Sequence, residues 1–188
     1  MKTGTIILIA VGLLLVLGGC EFVSERNKLA TERESINGEW SQVDAALQFR
    51  SDLIPNLVAT VKGYSKEETD VFESLANARA AMTGAQTPQQ KITANNQIDS
   101  ALGRLMVVVE NYPNLKANEN FRDLQRSLEG AENRILQTRR RYNEAVQKYN
   151  TDLSLFPANV VASMSGFQRE DAYFKTEPGA RTVPKVQF

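Results

Sequence analysis

The chain has 188 residues, a single cysteine, no histidine, and 22 acidic side chains set against 22 basic ones. That length suits one domain behind a short N-terminal segment, and a zero net charge gives no field to draw the chain onto nucleic acid. The lack of histidine removes Ser-His-Asp and Cys-His nucleophile pairs, histidine metal ligands and Glu-x-x-His di-iron sites, while one cysteine makes neither an intrachain disulfide nor a thiolate cage. No catalytic residue, metal site or cofactor is expected.

At the N-terminus Lys2 precedes an apolar run, Ile6 to Leu17, broken only by Gly12. A membrane-spanning helix needs ~20 such residues and a signal h-region ~7–15, so the run is short for a span. Leu17-Gly18-Gly19-Cys20 then resembles the lipobox of bacterial lipoproteins, where small residues precede a cysteine that is lipidated after cleavage. Cys20 is therefore the expected lipidation site. The alternative is an uncleaved anchor from Ile6 to Val23, with Glu21 at the membrane interface. Both readings hold the rest of the chain at a membrane.

From Leu29 the apolar spacing turns heptad-like, as in a coiled coil: Leu29, Ile36, Trp40, Val43, Leu47, then Arg50, Ile54, Leu57 and Val61. Arg50 breaks the series. A charge at a seam position is a rim residue, a long side chain that reaches water, or one half of a cross-helix pair. The two solvated readings are favoured, because an unpaired buried charge is so costly. Pro55 lies inside the same helix, where it removes the donor to the Ser51 carbonyl, and a kink there costs ~3 kcal/mol unless packing offsets it. Gly63 is the helix-stop glycine, and Ser65 with Glu68 has capping-box spacing.

Helix two is expected from Lys66 to about Met82, with Val71, Phe72, Leu75, Ala78 and Met82 inward. A connection from Gly84 to Pro88 leads to helix three, Gln89 to Tyr112, with Ile92, Ile98, Leu102, Leu105, Met106 and Val109 inward. The fourth stripe is Phe121, Leu124, Leu128, Ala131, Ile135, Tyr142, Ala145 and Tyr149. A single helix running unbroken to Gly84 is the minority alternative, since the phase passes through Gly63 without a skip. It would leave Ile36, Trp40, Val43 and Leu47 bare, so a reversal at Gly63 and an all-α, up-and-down four-helix bundle are favoured. Pro157 opens a short helical piece after Leu155-Phe156. The tail from Ala172 to Phe188 is either pinned by Tyr173, Phe174, Val183, Val186 and Phe188 or disordered. The predicted divisions are a 1–23 anchor, a 24–171 bundle and a 172–188 tail.

Arg50 to Val58 with Thr60-Val61-Lys62-Gly63-Tyr64 resembles the signature of the bacterial LemA family. Similar blocks follow the family's order: Asn37, Trp40 and Gln42; Ala78-Arg79; Glu110 to Ala117; Arg139 to Asn143 with Tyr149-Asn150; Leu155-Phe156-Pro157; and Val186-Gln187-Phe188. The resemblance implies an N-terminal membrane anchor and an all-helical bundle. It implies no settled activity, although one member of the family serves in building magnetosome membranes. The Gly-Gly-Cys ending departs from the plainer transmembrane anchor of many members.

Other clusters have ordinary explanations. Arg139, Arg140 and Arg141 point ~100° apart on a helix and make no single basic patch. Glu67, Glu68, Asp70 and Glu73 suit the positive end of a helix dipole better than a cation site. Tyr112-Pro113-Asn114 with Asn118 and Asn120 is turn chemistry. The expected function is a membrane-tethered scaffold or interaction module of the bacterial cell envelope, with no enzymatic activity. Its partners are the membrane and an unidentified envelope protein, with no nucleic acid, and the chain is a candidate homo-oligomer. The alternatives are membrane shaping by self-assembly and, behind it, an enzyme using carboxylates in a bundle cleft.

Overall fold

The structure is a computed structural model that describes residues 2–64 and 68–174. Among these residues every regular element is a helix: α1 Lys2–Lys62, α2 Thr69–Gly84, α3 Pro88–Glu110, α4 Pro113–Lys116, α5 Glu119–Asp152 and α6 Ala158–Ser165. The protein is all-α, with the four expected long helices and a single turn, α4, that periodicity did not reveal.

Local chemistry sets most of the boundaries. α1 runs unbroken through Gly18, Gly19, Cys20 and Pro55 and closes at Lys62, so the reading of one helix to Gly84 is overturned. Tyr64 N donates to Val61 O at 2.9 Å. Gly63 contributes room here rather than left-handed backbone: a Cβ would lie 3.3 Å from the Thr60 carbonyl oxygen. Ser65 lies outside the described residues, and Glu68 stands at the N-cap of α2 without a side-chain cap. α3 begins inside a capping signal, Thr87-Pro88-Gln89-Gln90, that the apolar periodicity does not reveal. Gln90 N donates to Thr87 Oγ1 at 3.2 Å, Thr87 N donates to Gln90 Oε1 at 3.1 Å, and Pro88 fills the first turn, where its missing amide is harmless. Asn118 precedes α5 and caps it, its Oδ1 accepting from Phe121 N at 3.0 Å. Pro157 is the N-cap of α6, and α6 ends at Gly166, whose left-handed φ of 74° suits a residue without a Cβ.

The chain divides into two compact units. The first is Met1–Glu39 with Glu144–Asp171, and the second is Trp40–Asn143 with the described residues from Ala172 onward. The second unit buries the expected stripes: Val43, Leu47, Ile54, Leu57 and Val61 of α1; Phe72, Leu75, Ala78 and Met82 of α2; Ile98, Leu105 and Val109 of α3; Phe121, Ile135 and Tyr142 of α5. Leu124, Leu128 and Met106 are only half-buried. Asp44 pairs with Lys91, Lys62 Nζ lies 5.2 Å over the Phe72 ring, and Trp40 meets Tyr142 edge-on at 5.2 Å. Those pairings run α1 alongside α3 and against α2 and α5, which is compatible with an up-and-down bundle.

Arg50 corrects the solvated reading. Its side chain is 8% exposed, and its Nη1 donates to Asn95 Oδ1 at 3.2 Å and to Asp99, with Glu132 Oε2 at 3.2 Å. Asn95 Nδ2 also donates to Asp99 Oδ2 at 2.9 Å. One cation thus ties α1 to α3 and α5. Burial is tolerable because the cation has two carboxylates in reach, and these keep 31% and 38% exposure and so retain part of their hydration.

Phe174 shows the start of the tail pinned rather than loose. It stacks on Trp40 at 6.1 Å, and Asn143 clamps its backbone, donating to Phe174 O at 2.9 Å and accepting from Phe174 N at 3.1 Å. Val183, Val186 and Phe188 lie outside the described residues.

Replacing Arg50 with alanine leaves Asp99 and Glu132 facing each other across a half-closed seam and removes alkyl packing, so a loss of about 3 kcal/mol is expected in urea unfolding. Asp99→Asn should cost less, because Glu132 still neutralises the guanidinium.

Candidate functional site

The candidate sites are the apolar N-terminal stretch of α1 in the first unit and the surface around Pro55 in the second. Residues 3–21 of α1 are all exposed, and the large apolar side chains from Ile6 to Leu17 keep between 48% and 74% of their surface. Of the described residues, this helix is the one long and apolar enough to cross a membrane. Cys20 is exposed and its thiol is free, and a Cβ on Gly18 or Gly19 would meet nothing within 4 Å. Cover begins at Phe22 and Glu25, which are partly shielded, and is complete at Leu29.

Immediately after that point lies a charge cluster. Lys28 Nζ is 3.0 Å from Asp152 Oδ2, Lys148 pairs with Glu32, and Lys148 Nζ is 3.6 Å from Asp152 Oδ2. The Glu32 side chain is 10% exposed, and burial pushes its carboxyl above the ordinary value, helped by the neighbouring Asp152 and opposed by Lys148. Asp152 moves the other way, held low by hydrogen bonding to Glu32 and by Lys28. Lys28 and Lys148 are both raised, chiefly by hydrogen bonds to Asp152 and to Glu32 respectively. The sequence reading missed this cluster, although Lys28 with Glu32 and Lys148 with Asp152 each sit one helical turn apart.

In the same unit the returning chain is fastened to α5. Tyr149 Oη donates to Gln168 O at 3.0 Å, Asn150 Nδ2 donates to Glu170 O at 2.7 Å, and Glu170 N donates to Asn150 Oδ1 at 3.0 Å. Burial raises the Tyr149 phenol above its ordinary value.

In the second unit Pro55 is exposed and lines a groove of about 720 Å³ with Ile54, Val58 and Phe72, flanked by the cations Lys62 and Arg79. Ser51, whose carbonyl the proline deprives of its donor, is buried. Of the three consecutive arginines, Arg139 lies 4.8 Å over the Phe174 ring and 3.9 Å from Asp99, while Arg140 and Arg141 are exposed. No group of acidic or cysteine side chains suited to a metal ion occurs among the described residues, and Glu67 of the acidic run lies outside them. Cys20, Pro55 and Gly63 therefore stand apart along α1 and its end, and they form no common site.

The model for the LemA family matches residues 39–188. The chain belongs to the LemA family. The match begins after the apolar stretch of this LemA-family chain. The chain is 27% identical to magnetosome protein MamQ 2 of Paramagnetospirillum magneticum, over 83% of this chain and 66% of that protein. It is 25% identical to magnetosome protein MamQ of Magnetospirillum gryphiswaldense over the same shares, and 25% identical to protein LemA of Metamycoplasma hominis over 75% of this chain and 65% of that one. It spans just under two thirds of the length of these curated relatives.

Two outcomes are expected. A folded-state pKa raised above the unfolded value gives stability that is present at low pH and lost as pH rises through it, so Glu32 weakens the fold as pH climbs from about 4.5. Glu32→Gln removes that loss, and its thermal stability relative to the parent should improve from pH 4.5 towards neutrality. At Pro55, alanine restores the amide donor for the Ser51 carbonyl, and a gain of up to about 3 kcal/mol is expected, read as a higher Tm.

Proposed function

We propose that this LemA-family protein is a membrane-tethered helical scaffold of the bacterial cell envelope, which holds a partner protein and catalyses no reaction. One observation carries the reading: α1 bares the apolar stretch from Ile6 to Leu17 on all sides and, further along, supplies the core of a folded body. Ten large apolar side chains from Ile6 to Leu17 are exposed to whatever surrounds that segment. Leaving them in water forgoes on the order of 15 kcal/mol or more, as much as a whole domain's net stability. A bilayer removes that cost, and a helix satisfies its own backbone there.

The tether takes its final form at Cys20. Lipidation there follows cleavage after Gly19 and replaces the apolar stretch with acyl chains, which hold the body at the same surface. The exposed thiol and the open flanks of Gly18 and Gly19 support access by the processing machinery. The scaffold role is supported by the absence of histidine from the whole chain and by the groove beside Pro55, a surface suited to holding rather than to chemistry. The magnetosome names of two relatives favour a second reading, in which copies of the chain assemble with one another on the membrane.

Cells expressing the chain should keep it in the membrane pellet after alkaline carbonate, and its release there overturns the tether. Labelled palmitate should be incorporated by the parent and not by Cys20→Ser; label that persists in the variant overturns the lipid form alone. Photo-crosslinking in cells from exposed positions on α5, such as Leu136 and Arg140, should recover one reproducible envelope protein. Adducts with a second copy only would favour self-assembly, and adducts with lipid only would count against both.

A further inference from the structure

The segment between α5 and the returning chain is exposed in an unusual way. No charged residue lies between Asp152 and Arg169. Within it Leu155 is 55% exposed, Phe156 83%, Val160 49% and Met164 73%. Val160 and Met164 stand four residues apart on α6 and so share one flank, Phe156 is bared on the turn just before the helix, and Ala158, Val161 and Ala162 are buried on the other flank. α6 therefore packs within the first unit by Ala158, Val161 and Ala162 and leaves Val160 and Met164 bare.

The position of this flank follows from contacts within the unit. The Lys28 to Asp152 ion pair sets the end of α5 beside Lys28. Beyond Asp152 the chain makes the turn and α6, then comes back to place Gln168 O on the Tyr149 hydroxyl. The excursion thus lies on the N-terminal side of Lys28 along α1. The burial of α1 agrees, because partial cover begins at Phe22, six residues or ~9 Å before Lys28. That edge is two residues, ~3 Å, from Cys20. The headgroup layer is ~5–8 Å deep on each side of the hydrocarbon, so the flank of α6 reaches it whether the tether is the helix or the lipid.

We propose that Phe156, Val160 and Met164 form a second membrane contact, which inserts into the interfacial layer beside the tether and seats the first unit on the bilayer. The proposal rests on the tethered reading above and adds the orientation of the body. The occupant is lipid rather than protein because the Lys28 to Asp152 pair sets the start of this excursion towards the tethered end of the unit and because no charged residue lies between Asp152 and Arg169, whereas protein interfaces are rimmed by polar groups. The tether supplies a high local concentration of bilayer, so a few side chains suffice. For lack of cations, the contact is indifferent to anionic lipid.

The test uses the full chain in phosphatidylcholine nanodiscs, with and without phosphatidylglycerol, and a benzophenone amino acid at position 156 or 164. Irradiation should add the mass of one phospholipid from both positions, equally in the two kinds of disc and at high salt, and add none from position 107 in the second unit, where Val107 is 69% exposed. Chain that stays on the disc but gives no lipid adduct from 156 or 164, or as much from 107, overturns the contact and leaves the tether standing. Adducts from 156 or 164 with a second copy of the chain assign the flank to self-association and overturn it too. Chain that does not stay on the disc overturns the tether and the contact together.

Discussion

A helix that satisfies its backbone internally can pass from one surrounding to another without changing its geometry, and α1 uses that freedom. Along its first third every side chain faces outward, and after Leu29 one stripe of Leu, Ile and Val turns inward every three or four residues. α5 answers it with Tyr149, Val146 and Tyr142, which are all buried. In the second unit α2 and α3 help to keep that stripe covered, and in the first the returning chain is fastened to α5.

Apolar seams of this kind are nearly degenerate, since sliding one helix by a turn exchanges Leu for Ile at little cost. Buried polar ties break the degeneracy. Arg50 does so in the second unit, where its guanidinium fits only the turn that brings Asp99, Asn95 and Glu132 together. The Lys28, Glu32, Lys148 and Asp152 cluster does so in the first. Asn143 and Asn150, two turns apart on α5, each grip a backbone amide and carbonyl of the returning segment, one clamp in each unit. A side-chain amide is suited to this role, because it offers a donor and an acceptor side by side.

Periodicity alone revealed the four long helices and nearly all of their large buried apolar residues, because spacing of apolar side chains is a local property that survives translation into structure. It misplaced Ala145, where the neighbouring Val146 takes the buried position, since a heptad count drifts over a helix as long as α5. It misjudged Arg50, because the partners that make a buried cation tolerable stand 45 or more residues away and their level across the bundle is invisible in one dimension. The site was less legible still. Cys20 could be singled out from four residues, but the bare flank of α6 shows only when buried Val161 and exposed Val160 are told apart, and composition treats them alike. The family resemblance was read from short blocks, and several of them, Trp40, Arg139 to Asn143 and Tyr149-Asn150, coincide with the fastening of the returning chain. Those blocks record packing rather than chemistry.

The uncharged loop and helix beyond Asp152 bear on how such a protein behaves once freed from its cell. Trimming α1 back to its first covered turn does not produce an ordinary water-loving domain, because Phe156 and Met164 stay bare. Surfactant or a neighbouring molecule then occupies the space that they present, and the apparent size of the trimmed protein depends on what was used to dissolve it.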